Sequence, residues 1–337
     1  MPPPGPSPAL FMDTVNAYQR TEALRSAIEL DLFSAVAAGR RTAAEIADAC
    51  RASPRGVRIL ADYLTIIGFL RKAGDRYDLT PDAAAFLDRA SPAYLGSAAE
   101  FLLVPEIRDC FRQLTAAVRR GGTAVSGEGT VSPDNPVWVT FARSMAPLMR
   151  LPAELLAGLV GGDRGGPLRV LDVAAGHGMF GVTIARHYPK AHVTALDWAS
   201  VLAVAAENAR LAGVADRHTL LPGSAFEVGW GGPYDVVLLT NFLHHFDAPT
   251  CERLAGKAYA ALAPGGRALT LEFVPDADRI SPPATATFAL TMLASTAGGD
   301  AYTFAEYERI FAAAGFARSE FHPLPPTTQQ VVVSHKG

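Results

Sequence analysis

Charge is scarce in this chain, and so is cysteine. Of its 337 residues only 19% are Asp, Glu, Lys or Arg, and the formal net charge is -3. Bulk charge therefore gives no reason to expect nucleic acid or an anionic membrane as a partner. The three cysteines, Cys50, Cys110 and Cys251, are scattered and form no CxxC pair. An odd, dispersed set argues against a disulfide framework, and a cytoplasmic location is the expectation. No uninterrupted apolar run approaches the ~20 residues needed to span a bilayer. The first ten residues, MPPPGPSPAL, have neither a basic nor an apolar leader segment and read as a disordered tail. Internal repeats are absent. What is abundant is apolar residue, 49% of the chain, enough for about two domains with real cores.

Residues 11–100 read as short amphipathic helices. Leu24, Ala27, Ile28 and Leu32 recur at helical spacing. Thr42 and Glu45 form a capping box, and Ser53-Pro54 offers a cap and a first-turn proline for a helix through Val57 to Gly68. FLRKAGDRYDLT then reads as a hairpin turning at Gly74-Asp75. Short helices followed by a β wing make a winged-helix pattern. Arg51, Arg55, Arg58, Arg71 and Lys72 lend it some DNA-binding character. However, the helix that would enter a groove, RGVRILADYLTIIGFL, is apolar over too much of its circumference for a wet groove. Dimerisation is the better expectation. Residues 101–160 read as a helical linker interrupted by GGTAVSGEGT. After the break Trp138, Phe141, Met145 and Met149 form one helical stripe, either core or the wall of an apolar acceptor pocket. The GGDRGGP linker opens a third zone, 161–337, where strands and helices alternate as in a parallel sheet covered on both faces. Its terminal strand, QQVVVSH, follows a proline-rich turn and suits antiparallel insertion.

The most informative segment is VLDVAAGHGMFG, Val170 to Gly181. A buried strand, a glycine turn and a helix start succeed one another, the unit that binds nucleotide-like ligands at the carboxyl end of a parallel sheet. Gly176, Gly178 and Gly181 also fit the dinucleotide spacing. Asp172 weighs against that, because a carboxylate just below the turn repels a diphosphate. It suits S-adenosylmethionine (SAM), which carries an ammonium and a sulfonium and no phosphate. Asp197 ends the next strand, where it can accept hydrogen bonds from both ribose hydroxyls. Trp198 and Phe226 are candidates to stack on adenine.

DVVLLTNFLHHFD delivers Asn241, His244 and His245 just past a strand's carboxyl end. A histidine there can take a proton from an acceptor hydroxyl. Methyl transfer from a sulfonium needs little more than alignment, and positioning supplies roughly 7–11 kcal/mol of such a barrier. Neighbouring histidines at a helix start point about 100° apart, so they do not share one task. His244 is the expected base. His245 is left to orient the acceptor, ligate a metal or cap carbonyls, and no HxH or HxxxH pair accompanies it. Glu272 ends the next strand, placed to hold the base's second nitrogen. Asp300 and Tyr302 precede a capping box, Thr303 to Glu306, and are candidates to close the pocket.

At these residues the chain resembles the SAM-dependent class I O-methyltransferases of small molecules, the group of the plant phenolic, acetylserotonin and bacterial polyketide-tailoring enzymes. VLDVAAGHG, Asp197, GSAF, NFLHHFD and LEF carry the resemblance, which runs from about residue 12 to 335. It implies an α/β, Rossmann-like methyltransferase sheet behind a mostly helical winged-helix dimerisation domain, and a homodimer. It also implies SAM against Gly176, Gly178, Asp197 and Phe226, with His244 as base and Glu272 beside it. The chain departs from the family pattern at three places. Gly223-Ser224 stands where Gly-Asp is usual, His245 where an aspartate follows the base, and Ala301, beside Asp300, where a second glutamate supports it. Those departures keep two alternatives in view, C-methylation and a SAM-binding enzyme that transfers no methyl group. A DNA-binding, SAM-responsive regulator is a third.

Overall fold

A computed structural model describes residues 5–125, 137–161 and 166–337. The expected tail at residues 1–4, the second half of the glycine-rich break and the middle of the GGDRGGP linker lie outside the described residues. The chain forms two compact units that divide between Leu103 and Val104.

In the first unit the Thr42–Glu45 capping box and the Ser53 cap start the helices Ala43–Ala49 and Pro54–Ile66. β1 (Leu70–Ala73) and β2 (Arg76–Leu79) pair antiparallel around the Gly74-Asp75 turn. Tyr77 on β2 is buried, and its hydroxyl donates to Asp62 at 2.6 Å, tying the wing to the longest helix. Two sequence expectations shift here. A helix, Ala9–Val15, already begins inside the presumed tail. The stripe through Leu24, Ala27, Ile28 and Leu32 is split, because Asp31 turns left-handed at φ 57° and Leu32 opens a new helix.

The second unit is built on a seven-stranded sheet. Its strands are β3 (Leu168–Val173), β4 (Ala191–Asp197), β5 (His218–Pro222), β6 (Tyr234–Thr240), β7 (Leu262–Glu272), β8 (Arg318–Pro323) and β9 (Gln330–His335). Their order is β5-β4-β3-β6-β7-β9-β8. β3 to β7 are parallel, and β9 inserts antiparallel beside β7, as the proline-rich approach suggested. β8 escapes the sequence pattern because its residues, RSEFHP, are polar and half-exposed at the sheet edge. Central strands such as β6 (YDVVLLT) are almost wholly buried, as expected where helices cover both faces. The direction of winding reverses at β3, which has β4 on one side and β6 on the other. Open α/β sheets bind ligands at that reversal, outside the carboxyl ends of the strands. The tips of β3, β4, β6 and β7 all meet there.

The apolar stripe ahead of the sheet is also divided. Val137–Met145 is one helix, and Met149 caps the next, Arg150–Leu159. Pro147 lies between them, and proline ends a helix by removing an N–H and clashing with the preceding turn.

Candidate active site

The turn after β3 owes its shape to three residues with positive φ: Ala174 at 53°, Gly176 at 57° and Gly178 at 70°. A side chain at Gly178 would meet the Ala205 Cβ at 2.8 Å, so only glycine lets the helix Met179–His187 start so close to its neighbour. Asp197, at the tip of β4, accepts the Gly176 N–H at 2.8 Å and its own neighbour's, from Trp198, at 2.7 Å. Each of its oxygens keeps further acceptor capacity. Burial pushes the Asp197 carboxyl up to about 6, against the downward pull of those two N–H groups.

Asp172 is fully buried one strand away. Its Oδ2 accepts the Gly181 N–H at 3.1 Å, and its Oδ1 has no partner. Burial pushes this carboxyl up to about 8, the Gly181 N–H opposes that, and the charge of Asp197 adds to it. His177, in the turn itself, is buried and stacks on Phe141 with ring centroids 6.1 Å apart. Its Nδ1 accepts the Met179 N–H at 3.1 Å, and burial lowers its pKa to about 4, so the ring is neutral. No lysine or arginine stands in the turn.

A second constellation forms where β6 and β7 end. Glu272 is fully buried at the tip of β7. Its Oε1 accepts three successive backbone N–H groups, from Phe242 at 2.9 Å, Leu243 at 2.8 Å and His244 at 3.3 Å. Its Oε2 takes the Nδ1 of His244. An ionised carboxylate only accepts, so Nδ1 carries the proton and Nε2 keeps a free lone pair. No described residue bonds that Nε2. Phe288 lies edge-on to the His244 ring at 4.8 Å, and Phe273 stacks on Phe288 at 3.9 Å. Sequence reading missed both phenylalanines: Phe288 belongs to no recognisable motif, and Phe273 closes LEF without a polar group to mark a role. His245 sits 4.2 Å from His244 and 5.3 Å from Trp138, ring to ring, with its Nδ1 buried and unpartnered. Burial, then the His244 neighbour, holds its pKa well below the ordinary imidazole range. His245 is therefore a neutral ring.

Residues 111–317 match the model of the O-methyltransferase domain, and residues 12–89 match the O-methyltransferase dimerisation domain. The chain belongs to the O-methyltransferase family. A 3-hydroxy-5-methyl-1-naphthoate 3-O-methyltransferase of Streptomyces sahachiroi is 30% identical over 312 residues, 91% of this chain and 88% of that one. Mouse acetylserotonin O-methyltransferase is 30% identical over 91% of this chain and 83% of its own. A crystal structure of a putative O-methyltransferase from Nostoc punctiforme superimposes with a TM-score of 0.95 at 53% identity, covering 99% of this chain and 100% of that one.

This O-methyltransferase is a SAM-dependent enzyme, and the residues around the glycine turn fit SAM. The turn bears no cation that would favour a phosphate. Asp197 presents a carboxylate where a ribose can meet it, and Asp172 has a buried oxygen without a partner. The side chain of Asp197 leads to a test. A carboxyl raised to about 6 is ionised above that pH and protonated below it. Protonation removes acceptor capacity, so an Asp197 that holds the ribose predicts SAM affinity falling as pH drops through about 6, by up to tenfold per unit. Calorimetric titration between about pH 5 and 8 checks this, and Asp197→Asn removes that limb.

The remaining expected site residues fall into place unevenly. Phe226 is 43% exposed and meets Phe246 edge-on at 5.2 Å, an open platform. Ser224 accepts the Phe226 N–H at 3.2 Å and shapes that loop. Trp198 instead packs with Trp138 and Val139 against a cluster of Ala142, Val201 and Val204. Met145 and Met149 are buried, and Phe141 lies against Gly176, so the divided stripe still borders the glycine turn. Asp300 does not join the base. Arg279 draws its Oδ2 into an ion pair at 3.3 Å, and its Oδ1 takes the Ala301 N–H at 2.8 Å. It reaches His244 only through the backbone, donating its N–H to the His244 carbonyl at 3.0 Å. Tyr302 is likewise engaged, donating to the Phe246 carbonyl at 2.6 Å.

Proposed function

We propose that this enzyme methylates a hydroxyl of a small, flat, aromatic or polyketide-like acceptor, with His244 as general base. The His244–Glu272 pair carries the reading. Glu272 fixes the ring and its tautomer, and the bare Nε2 lies beside an aromatic wall. When bound, SAM supplies a methyl group activated on a sulfonium. The acceptor oxygen gains that methyl, its proton passes to His244 Nε2, and S-adenosylhomocysteine departs. Phe141, Met145, Met149, Phe273 and Phe288 offer apolar and aromatic surface that favours a flat ring and excludes water. Neutral His245 orients the acceptor beside Trp138.

On the cofactor side Gly176, Gly178 and Asn241 border the ligand, Asp197 takes the ribose, Asp172 supports the glycine turn from beneath through Gly181, Phe226 takes the adenine on the loop shaped by Ser224, and Trp198 backs the site through its own apolar cluster. Asp300 anchors the backbone beside the base. The relatives named above act, by their names, on a naphthoate and on acetylserotonin, and another relative is a tetracenomycin polyketide 8-O-methyltransferase.

We assign residues 11–100 to dimerisation rather than DNA, followed by a pocket-forming linker to 160 and the SAM-binding domain at 161–337. The matching dimerisation model supports a homodimer, and so do Leu10, Phe11, Val15 and Tyr18, each more than half exposed. The three cysteines are free thiols, in keeping with the cytoplasm, and no described helix is long and apolar enough to cross a membrane.

The test incubates the full chain and SAM with hydroxynaphthoates, hydroxyindoles and polyketide phenols, then analyses products by mass spectrometry. S-adenosylhomocysteine should accumulate one-for-one with an O-methylated product. Methyl appearing on carbon, or SAM bound with no S-adenosylhomocysteine formed from any acceptor, would overturn the assignment.

A further inference from the structure

Asn241 is a strained residue at a decisive place. It directly follows β6 with φ 51°, a left-handed conformation that costs most non-glycine residues free energy and that asparagine tolerates better than most. The reversal has a consequence for the next three residues. It swings the N–H groups of Phe242, Leu243 and His244 onto the single oxygen Oε1 of Glu272. Strand geometry would send successive N–H groups to opposite sides. The kink at Asn241 is therefore what builds the cradle from which His244 projects.

Contacts from two distant parts of the chain hold that kink. Gln329, buried immediately before β9, donates its Nε2 to the Asn241 Oδ1. The Asn241 Nδ2 in turn reaches the Met149 sulfur at 3.6 Å. Both ends of the Asn241 amide are engaged. The next residue, Gln330, secures the partner strand. Its Oε1 accepts the Val274 N–H at 2.9 Å, two residues beyond Glu272, and in the ladder it stands opposite Glu272 itself. Adjacent residues of an extended chain face opposite ways, so one Gln-Gln pair can brace both strand tips.

We propose that Gln329 is a positioning residue for the general base, holding the Asn241 kink that aims His244, while Gln330 fixes the Glu272 side of the same pair. This rests on the reading of His244 as base. Removing the Gln329 amide frees Asn241 to relax, and a base displaced by a fraction of an ångström loses alignment with the acceptor hydroxyl.

The experiment compares Gln329→Met, which keeps length and apolar bulk, with the parent enzyme. The expected result is a roughly 10- to 100-fold lower kcat with SAM affinity unchanged. Amide hydrogen exchange in the peptide spanning 241–246 should quicken about tenfold or more. In a His244→Ala background the same substitution should cost no further kcat, because there is no base left to aim. Should Gln329→Met fail to fold, Gln329→Leu serves, since it is close in volume and equally lacks the amide that reaches Asn241; the same loss is expected. A weakened SAM affinity with kcat intact would assign the pair to the cofactor and overturn the proposal. So would an undiminished kcat, or equal losses with and without His244. If His244→Ala itself leaves kcat unchanged, it is the base assignment that has failed.

Discussion

Replacing His244 by alanine should lower kcat by roughly 10²–10⁴ while SAM binding stays as it is. The expectation follows from the division of labour at the strand tips. In the proposed arrangement the glycine turn and Asp197, on β3 and β4, carry the cofactor contacts. His244, on the far side of β6, has one nitrogen committed to Glu272 and the other bare. A phenolic hydroxyl with a pKa near ~10 is almost wholly protonated at neutral pH and is a poor nucleophile in that form. Removing its proton as the methyl arrives is the step proposed for His244. The loss should therefore shrink for acceptors with more acidic hydroxyls, which are already partly ionised. Steady-state kinetics across a series of substituted phenols reads this directly. A loss of equal size across the series would mean that the ring acts by shape rather than by taking a proton. Truncation also leaves the buried Oε2 of Glu272 without its partner, at a cost of about 1–3 kcal/mol in stability. A melting curve keeps that effect apart from the kinetic one.

Glu272 should give the largest structural effect of any single substitution in the site, and its two replacements should fail differently. Glu272→Ala strands three N–H groups, two of them buried, and the His244 ring nitrogen at once. Breaking a buried partnership of this kind costs about 3–5 kcal/mol, a large part of a domain's whole stability. The variant should melt many degrees lower and bring down activity with it. Glu272→Gln has the same shape and keeps an oxygen for the three N–H groups, so the fold should survive. Its amide nitrogen, however, then meets Nδ1 of His244. An amide donates, so Nδ1 must become the acceptor, and the proton moves to Nε2. The base is then present but in the wrong tautomer, and kcat should fall about as far as in His244→Ala. Calorimetry paired with kinetics separates the two variants. A Gln variant with full activity would show that tautomer control by Glu272 is not needed.

The elements most visible in the sequence were those written in consecutive residues. The glycine turn after β3, the Thr42 and Thr303 capping boxes, the wing at Gly74-Asp75 and the histidines past β6 are local patterns, and each stands where its spacing put it. The stripe from Trp138 to Met149 was legible as apolar but not as two helices, since Pro147 outweighs the periodicity around it. β8 stayed hidden because an edge strand need not be apolar, and its partner supplies the pattern. Asp300 reads as a pocket carboxylate until Arg279, 21 residues away, is seen to claim it.

By itself, then, the order of residues determined a SAM-type turn, an imidazole at a strand tip and a carboxylate on the strand beside it. Short-range stereochemistry is enough for that, because glycine, proline and capping side chains act on their immediate neighbours. Tertiary structure alone decided how the imidazole is held. Gln329 meets Asn241 across 88 residues of chain, and Glu272 gathers N–H groups from about 30 residues away. Such pairings leave no period or spacing in the sequence. They exist only once the sheet has brought the ends of β6, β7 and β9 side by side.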